Sequence, residues 1–390
     1  MKLPIKILSV DDETDLELLL TQYFRRQIRK GQYEFYFAHN GLEALTILLN
    51  QKDIDIILSD INMPEMDGLT LLTKINEMQN PALKCIMVSA YGDMGNIRSA
   101  MNNGAFDFAT KPIDLDDLSV TIEKAIEQID YIKKAQEEHS QLESLKTDLA
   151  VAAEIQQAIL PRIFPPFPEN EQELDLAALM TPAKDVGGDF YDFFRIDNDH
   201  IGLVIADVSG KGIPAAIFMA VSRTLIRTVG LQGGTPGYCL TKSNELLSKE
   251  SVDCMFVTVF YAIYNIRTGE LEFSNGGHNS PYILRANGNV EQLPVSTNCI
   301  VGAISDVEFS NDKTSLGVGD TLILYTDGVN EATNADNQEY GDDRMERLLG
   351  TLAGKSCQDI INAQREDVKN FVGDAPQSDD ITLMAIKRKA

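Results

Sequence analysis

A chain of 390 residues is long enough for two or three domains, each with a sizeable core. Its 59 acidic against 34 basic side chains leave a net charge of -25, which repels phosphate backbones and anionic lipid and argues against nucleic-acid or membrane partners. Five cysteines without a Cys-x-x-Cys pair, four scattered histidines and no apolar run of the roughly 18 residues a membrane span needs exclude a readable disulfide framework or zinc site and predict a soluble cytoplasmic protein. From residue 5 to about 112, short β-rich runs (IKILSV, EFYFA, IDIILSD, LKCIMVSA, FDFATKP) alternate with helical patterns such as GLEALTILLNQ, which predicts a parallel, doubly wound α/β sheet. A helical stretch follows from about Leu115 to Leu160, closed by Pro161; at about 1.5 Å per residue it spans roughly 70 Å, more than one globular domain hides. Its apolar positions Leu118, Ile122, Ala125, Ile129 and Ile132 step by four and three, Gln136 and His139 interrupt, and Leu142, Leu145, Leu149 and Ala152 resume in shifted phase. That pattern predicts a dimeric coiled coil, with a linker packed on its own domain as the alternative. Beyond the proline-rich PRIFPPFPEN, the runs HIGLVIADVSG, CMFVTVFYAIYNI, DTLILYTDG and DDITLMAIKR, with two helical blocks early and two late, predict an α+β domain. The expected domains are residues 1–115, a helical linker 116–160, and 161–390.

In a parallel doubly wound sheet the carboxyl ends of the strands share one edge, where ligands sit. Asp11 and Asp12 end the first run, Asp60 the third, Ser89 the fourth and Lys111 the fifth. Carboxylates gathered at one edge raise each other's cost of ionisation and call for a cation; oxygen ligands with room for water suit Mg²⁺. Such a pocket suits phosphoryl chemistry, with Asp60 attacking phosphorus to give an aspartyl phosphate while Lys111 and the Ser89 hydroxyl hold the new oxygens. Asp11-Asp12-Glu13, the run from Ser59 to Gly68, Ser89-Ala90 and Lys111-Pro112 together resemble the receiver domain of two-component response regulators, over about residues 4 to 125. The resemblance implies a flavodoxin-like fold and phosphorylation of Asp60 by a histidine kinase or phosphotransfer protein. It also implies Asp12 and the Asn62 carbonyl as further Mg²⁺ contacts, a cis Lys111–Pro112 bond, and Phe108 as a switch aromatic that swings as the Ser89 loop closes.

Residues 174 to 390 place acids beside small residues at strand ends: Gly187-Gly188-Asp189, Asp192, Ala206-Asp207, Thr326-Asp327-Gly328 and Ser378-Asp379-Asp380. Glycine lets the backbone approach a bound ion closely, and hard carboxylates without His or Cys favour Mg²⁺ or Mn²⁺ over zinc. Two such ions sharing a water can hydrolyse a phosphate ester without a protein nucleophile, and no Gly-x-Ser-x-Gly elbow occurs in the chain. In this order the motifs resemble the metal-dependent type-2C Ser/Thr phosphatases (PPM superfamily), most of all their bacterial sporulation-protein-IIE branch, from about residue 150 onward. The resemblance implies an αββα sandwich and two Mn²⁺ or Mg²⁺ ions held by Asp189, Asp207 with the Val208 carbonyl, Asp327 and Asp379, with Asp380 and Asp192 as further candidates.

The same resemblance implies a phosphorylated anti-anti-sigma-type protein as substrate, in a partner-switching pathway. Lys184, Lys211 and Arg223 are the candidates for gripping its phosphate. Asn275-Gly276-Gly277-His278 fits the branch pattern and reads as a strand-connecting turn. Ala153 to Pro161 resembles the helical segment that leads into this branch of phosphatases, where its packing is linked to formation of the metal site. The combined expectation is a homodimer, joined through the linker helix, in which phosphorylation of Asp60 alters residues 115 to 160 and thereby the phosphatase. The reading of another class is a non-catalytic adaptor that binds a sigma factor or its regulator.

Overall fold

The computed structural model describes residues 3–90, 93–164, 167–170, 172–250, 255–296 and 298–390. The chain divides into two units, Met1–Leu145 and Lys146–Ala390. Cys254 lies outside the described residues, and the other four cysteines are free thiols.

The first unit holds β1 (Ile5–Val10), α1 (Asp15–Tyr23), α2 (Arg25–Arg29), β2 (Tyr33–Ala38), α3 (Gly41–Asn50), β3 (Ile56–Asp60), α4 (Gly68–Glu77), β4 (Lys84–Ala90), α5 (Met94–Asn102), β5 (Asp107–Lys111) and the start of α6 (Leu115–Ile159). The strands form one parallel sheet in the order β2-β1-β3-β4-β5, so each expected strand is present and the doubly wound topology holds. Asn40 and Asp67 cap α3 and α4 by accepting the amides of Glu43 and Thr70. Every residue of β3 is buried, because a parallel sheet is covered on both faces.

That requirement corrects the coiled-coil seam. Leu118, Ile122, Ala125 and Ile129 are almost fully buried among Ile7, Leu20, Ile56 and Ile86, so the first turns of α6 are the receiver's own covering helix and leave no seam there. A receiver boundary at residue 115 would strip the sheet of this layer. Apolar positions further along α6 remain about half exposed, Leu142 at 49% and Leu145 at 52%.

The second unit begins on the remaining turns of α6 and holds β6 (Leu174–Thr181), β7 (Phe190–Arg195), β8 (His200–Val208), α7 (Ile213–Gly230), α8 (Pro236–Glu250), β9 (Val257–Asn265), β10 (Glu270–Gly276), β11 (Tyr282–Leu284), β12 (Val290–Gln292), β13 (Asp312–Ser315), β14 (Thr321–Tyr325), α9 (Asp327–Asn330), α10 (Asp342–Gly350), α11 (Cys357–Val372) and β15 (Ile381–Arg388). Two antiparallel sheets, β13-β10-β9-β8-β7 and β12-β11-β14-β15-β6, stack face to face. Alternation along the strands assigns side chains to layers. Leu322, Leu324, Met384 and Ile386 fill the space between the sheets, whereas Ile323, Tyr325, Leu383 and Ala385 face Ile360, Ile361 and Val368 of α11. Helices α7 and α8 cover the other outer face, which completes the αββα sandwich. Helix α7 corrects the expectation that no segment is long and apolar enough to span a membrane: it meets that test, and in the fold it lies on β7 and β8 with Met219 and Ile226 buried.

Candidate functional site

Two acidic centres stand at strand ends, one in each unit. In the first, β1 delivers Asp11, β3 Asp60 and β5 Lys111 to the same sheet edge. Asp11, Asp12 and Asp60 each bring a carboxylate oxygen within 4.8 Å of the other two. The Lys111 ammonium lies 2.7 Å from Asp60 Oδ2, 3.0 Å from Asp11 Oδ2 and 3.4 Å from Glu13 Oε1. Burial alone would push Lys111 down, but its hydrogen bonds to Asp60 and Asp11 outweigh that and hold it above the ordinary lysine range. Asp11 is raised instead, because burial outweighs what Lys111 returns. The Ser89 hydroxyl is fully buried without a hydrogen-bond partner, and the Asn62 amide donates to Asp60 Oδ1 at 3.3 Å. An all-oxygen triad with two buried carboxylates, Asp11 and Asp60, and one exposed, Asp12, fits Mg²⁺. The Lys111–Pro112 bond is cis, and Phe108 is 36% exposed, a surface position rather than core packing.

In the second unit, Asp189 precedes β7, Asp207 lies on β8, Asp327 opens α9 after β14, and Asp379 and Asp380 precede β15. Both sheets therefore contribute. Asp189 is 1% exposed, and its Oδ2 accepts the hydroxyls of Thr326 and Thr382, each at 2.7 Å. Burial, then the neighbouring Asp207 charge, raises Asp189 well above the carboxylate range. Asp207 is pushed up to about 7 by burial and then by Asp327, while Asp327 is raised by burial and then by Asp379. These aspartates are linked as successive neighbours. Among the described residues, the one triad whose oxygens all close to within 4.8 Å is the receiver's.

A string of mutually repelling, partly buried carboxylates without nitrogen or sulfur donors fits hard divalent ions. Gly188 adds to the fit, since a Cβ there would stand 3.0 Å from the Val208 carbonyl oxygen and cover it. Asp380, expected among the ligands, is placed otherwise. Its Oδ1 accepts the Ala183 amide at 2.7 Å and its Oδ2 the Gly188 amide at 2.6 Å, so it braces the loop that carries Asp189. Asp192 points to Arg223 at 3.0 Å and Arg227 at 2.7 Å, which removes both Asp192 and Arg223 from the centre. Lys211 stands on Asp379 at 2.9 Å, while Lys184 is exposed.

Three supporting residues were not among the expected site residues. Thr326 and Thr382 orient Asp189, and their signal is a place in the same motifs, Thr326 beside Asp327 and Thr382 two residues after Asp380. Gln156, near the end of α6, is 6% exposed and bonds Gly187 both ways: its Nε2 donates to the carbonyl at 2.5 Å and its Oε1 accepts the amide at 3.0 Å. Among the polar residues of Ala153 to Leu160, only its burial sets it apart, which the sequence does not show.

Each of the two units matches a known family. Residues 7–123 match the response regulator receiver domain and residues 197–389 match stage II sporulation protein E (SpoIIE). The chain therefore carries a receiver domain fused to a PPM phosphatase domain of the SpoIIE type. It is similar to "Protein IcfG" of Synechocystis, 29% identical over 62% of this chain and 42% of that protein. It is also similar to "Phosphoserine phosphatase RsbU" of Bacillus subtilis, 28% identical over 65% of this chain and 75% of that protein. The chain thus spans less than half the length of the first of these relatives. The SiaA-PP2C domain of Pseudomonas aeruginosa shares the fold, with a TM-score of 0.56 at 23% identity over 63% of this chain and 98% of that one.

Proposed function

We propose that this protein is a cytoplasmic response regulator whose receiver, phosphorylated on Asp60 by a histidine kinase or phosphotransfer protein, controls a Mg²⁺- or Mn²⁺-dependent protein serine/threonine phosphatase. Its substrate class is a phosphorylated anti-anti-sigma-type protein, and the exposed part of α6 joins two copies of the chain.

In the receiver, an Asp60 carboxylate oxygen forms the new bond to phosphorus as the donor's phosphorus–nitrogen bond breaks. The Lys111 ammonium and the unpartnered Ser89 hydroxyl then serve the phosphoryl oxygens. In the second unit, Asp189, Asp207, Asp327 and Asp379 would hold two divalent ions, which when bound supply an acidified water and neutralise phosphate charge. The chain's own part is to fix the Asp189 carboxylate through Thr326 and Thr382, keep the Val208 carbonyl uncovered, and offer Lys211 at the rim.

The observation that carries the regulatory half is Gln156. Helix α6 starts in the receiver core and ends with this side chain clasping Gly187, two residues before Asp189. A small shift of the helix moves that loop, and a bias of about 1.4 kcal/mol changes a conformational ratio tenfold. The test is hydrolysis of a phosphoserine peptide by the full chain in Mn²⁺, with and without beryllofluoride. Turnover that responds to beryllofluoride and vanishes in Asp207→Ala is expected. Retention of a phosphoprotein without any turnover would instead establish the adaptor.

A further inference from the structure

The segment Asn275 to His278 leaves β10 of one sheet and leads to β11 of the other, and nothing in the reaction so far uses it. It is more than a turn. The Asn275 side chain clasps the backbone of His278, accepting its amide at 2.7 Å and donating to its carbonyl at 2.8 Å, and Asn298 donates to the Asn275 carbonyl at 3.0 Å. Gly277 takes φ +74°, and a Cβ there would lie 2.7 Å from the Ile300 side chain, so the glycine is needed for both reasons. These restraints drive an imidazole into the interior, where His278 is 6% exposed. Burial pushes its pKa down to about 4, so the ring is neutral and offers one N–H and one acceptor.

The ring meets both sheets at the acidic centre. Nδ1 is 2.8 Å from the Thr258 hydroxyl, and Thr258 is the cross-strand partner of Asp207, whose carbonyl its hydroxyl also approaches at 3.5 Å. The backbone of Tyr325 lies close to the ring, two residues before Asp327 and one before Thr326, the hydroxyl that orients Asp189. Nε2 is buried without a hydrogen-bond partner. Asp207 comes from the first sheet and Asp327 follows the second, and the His278 ring is bonded to the strand neighbour of the first and lies close to the chain leading to the other.

We infer that His278 is a positioning residue that sets Asp207 against Asp327, acting through its hydrogen bond to Thr258 on one sheet and its packing beside the Tyr325 backbone on the other. The inference rests on the proposed ion-binding role of those aspartates. An apolar residue of similar size would fill the space yet leave the two sheets free to shift relative to each other at this point. It would thereby weaken ion binding more than folding.

The test uses the full chain, stripped of metal, and measures Mn²⁺ binding by titration calorimetry beside the melting temperature of the metal-free protein. His278→Leu should weaken Mn²⁺ binding about tenfold with the metal-free melting temperature unchanged or higher, because a buried nitrogen without a partner of good geometry is removed. His278→Asn, which returns an acceptor for the Thr258 hydroxyl, should recover most of the loss, and a space-filling role would show no such rescue. Thr258→Val should act in the same direction, and its effect should not add to that of His278→Leu. Turnover at saturating Mn²⁺ should stay near that of the unaltered protein while the half-saturating Mn²⁺ concentration rises. Unchanged Mn²⁺ affinity in His278→Leu, or in Thr258→Val if the first variant does not fold, overturns the inference. If the unaltered chain itself binds no Mn²⁺, the reading of the aspartates fails, and the inference with it.

Discussion

In the receiver, Asp11 and Asp60 share the ammonium of Lys111 at 3.0 and 2.7 Å, so the pocket carries its own counter-charge. In the second unit, Asp189 and Asp207 face each other with no ion pair among the described residues, and Lys211 is engaged by Asp379. The first centre is partly compensated before any ligand arrives, by one ammonium set directly on its two buried carboxylates. The second is held together by hydroxyls and backbone amides, and relieves its repulsion by taking up protons or divalent ions. The difference suits the two proposed chemistries: a pocket that keeps a covalent phosphoryl group needs a permanent cation, whereas one that turns over phosphate esters gains from ions that come with their own water.

The largest effect that would break this comparison is in the pH dependence of the metal-free protein. Asp207 is raised from 3.8 to about 7, so the fold favours its protonated form. The stability from this linkage, on the order of a few kcal/mol, is fully present below about pH 4 and is lost as pH rises through about 7. Chelator-treated protein should therefore melt lower at pH 8.5 than at pH 5, and Mn²⁺ or Asp207→Asn should flatten the difference. Equal melting temperatures at both pH values would place the second centre with the first. Next in size, Lys111→Met should make the receiver pocket resemble its counterpart, leaving Asp11 and Asp60 uncompensated at a cost of about 2 kcal/mol that added Mg²⁺ restores in thermal melts. Smallest is Gln156→Leu, expected to raise the half-saturating Mn²⁺ concentration of peptide hydrolysis by about tenfold, or ~1.4 kcal/mol. Hydrolysis profiles that coincide with those of the unaltered chain would detach α6 from the catalytic loop.

Much of this layout is legible in the chain itself. The run IKILSV is β1 without a residue to spare, and α6 runs from Leu115 to Ile159, one residue short of the proline-bounded expectation. Strand ends carrying Asp60, Lys111 and Asp207 could be placed because apolar runs mark strands and acids close them. What stayed hidden was direction. Asp380 and Asp192 share the motifs of their neighbours, and only the three-dimensional fold shows one turned to backbone amides and the other to arginines. The first half of the α6 heptad pattern misled for a related reason: a stripe of Leu118, Ile122, Ala125 and Ile129 suits a parallel sheet as well as a second helix, and periodicity does not name its partner. Gln156 and His278 act through hydrogen bonds across 31 and 20 residues of sequence, a separation at which no local pattern operates.

The adjacency of Asp379 and Asp380 has a final consequence for how this domain can vary. One carboxylate reaches the rim where Lys211 sits and the next reaches back to the amides of Ala183 and Gly188, while Gly328 packs against the Asp380 carbonyl so closely that a methyl group would collide with it. Inserting a single amino acid between Asp380 and Ile381, where β15 begins, would displace both carboxylates and push the wrong backbone atom against Gly328. Length changes between α11 and β15 are thus confined to the stretch before Ser378, and descendants of this gene can lengthen that connection only on its upstream side.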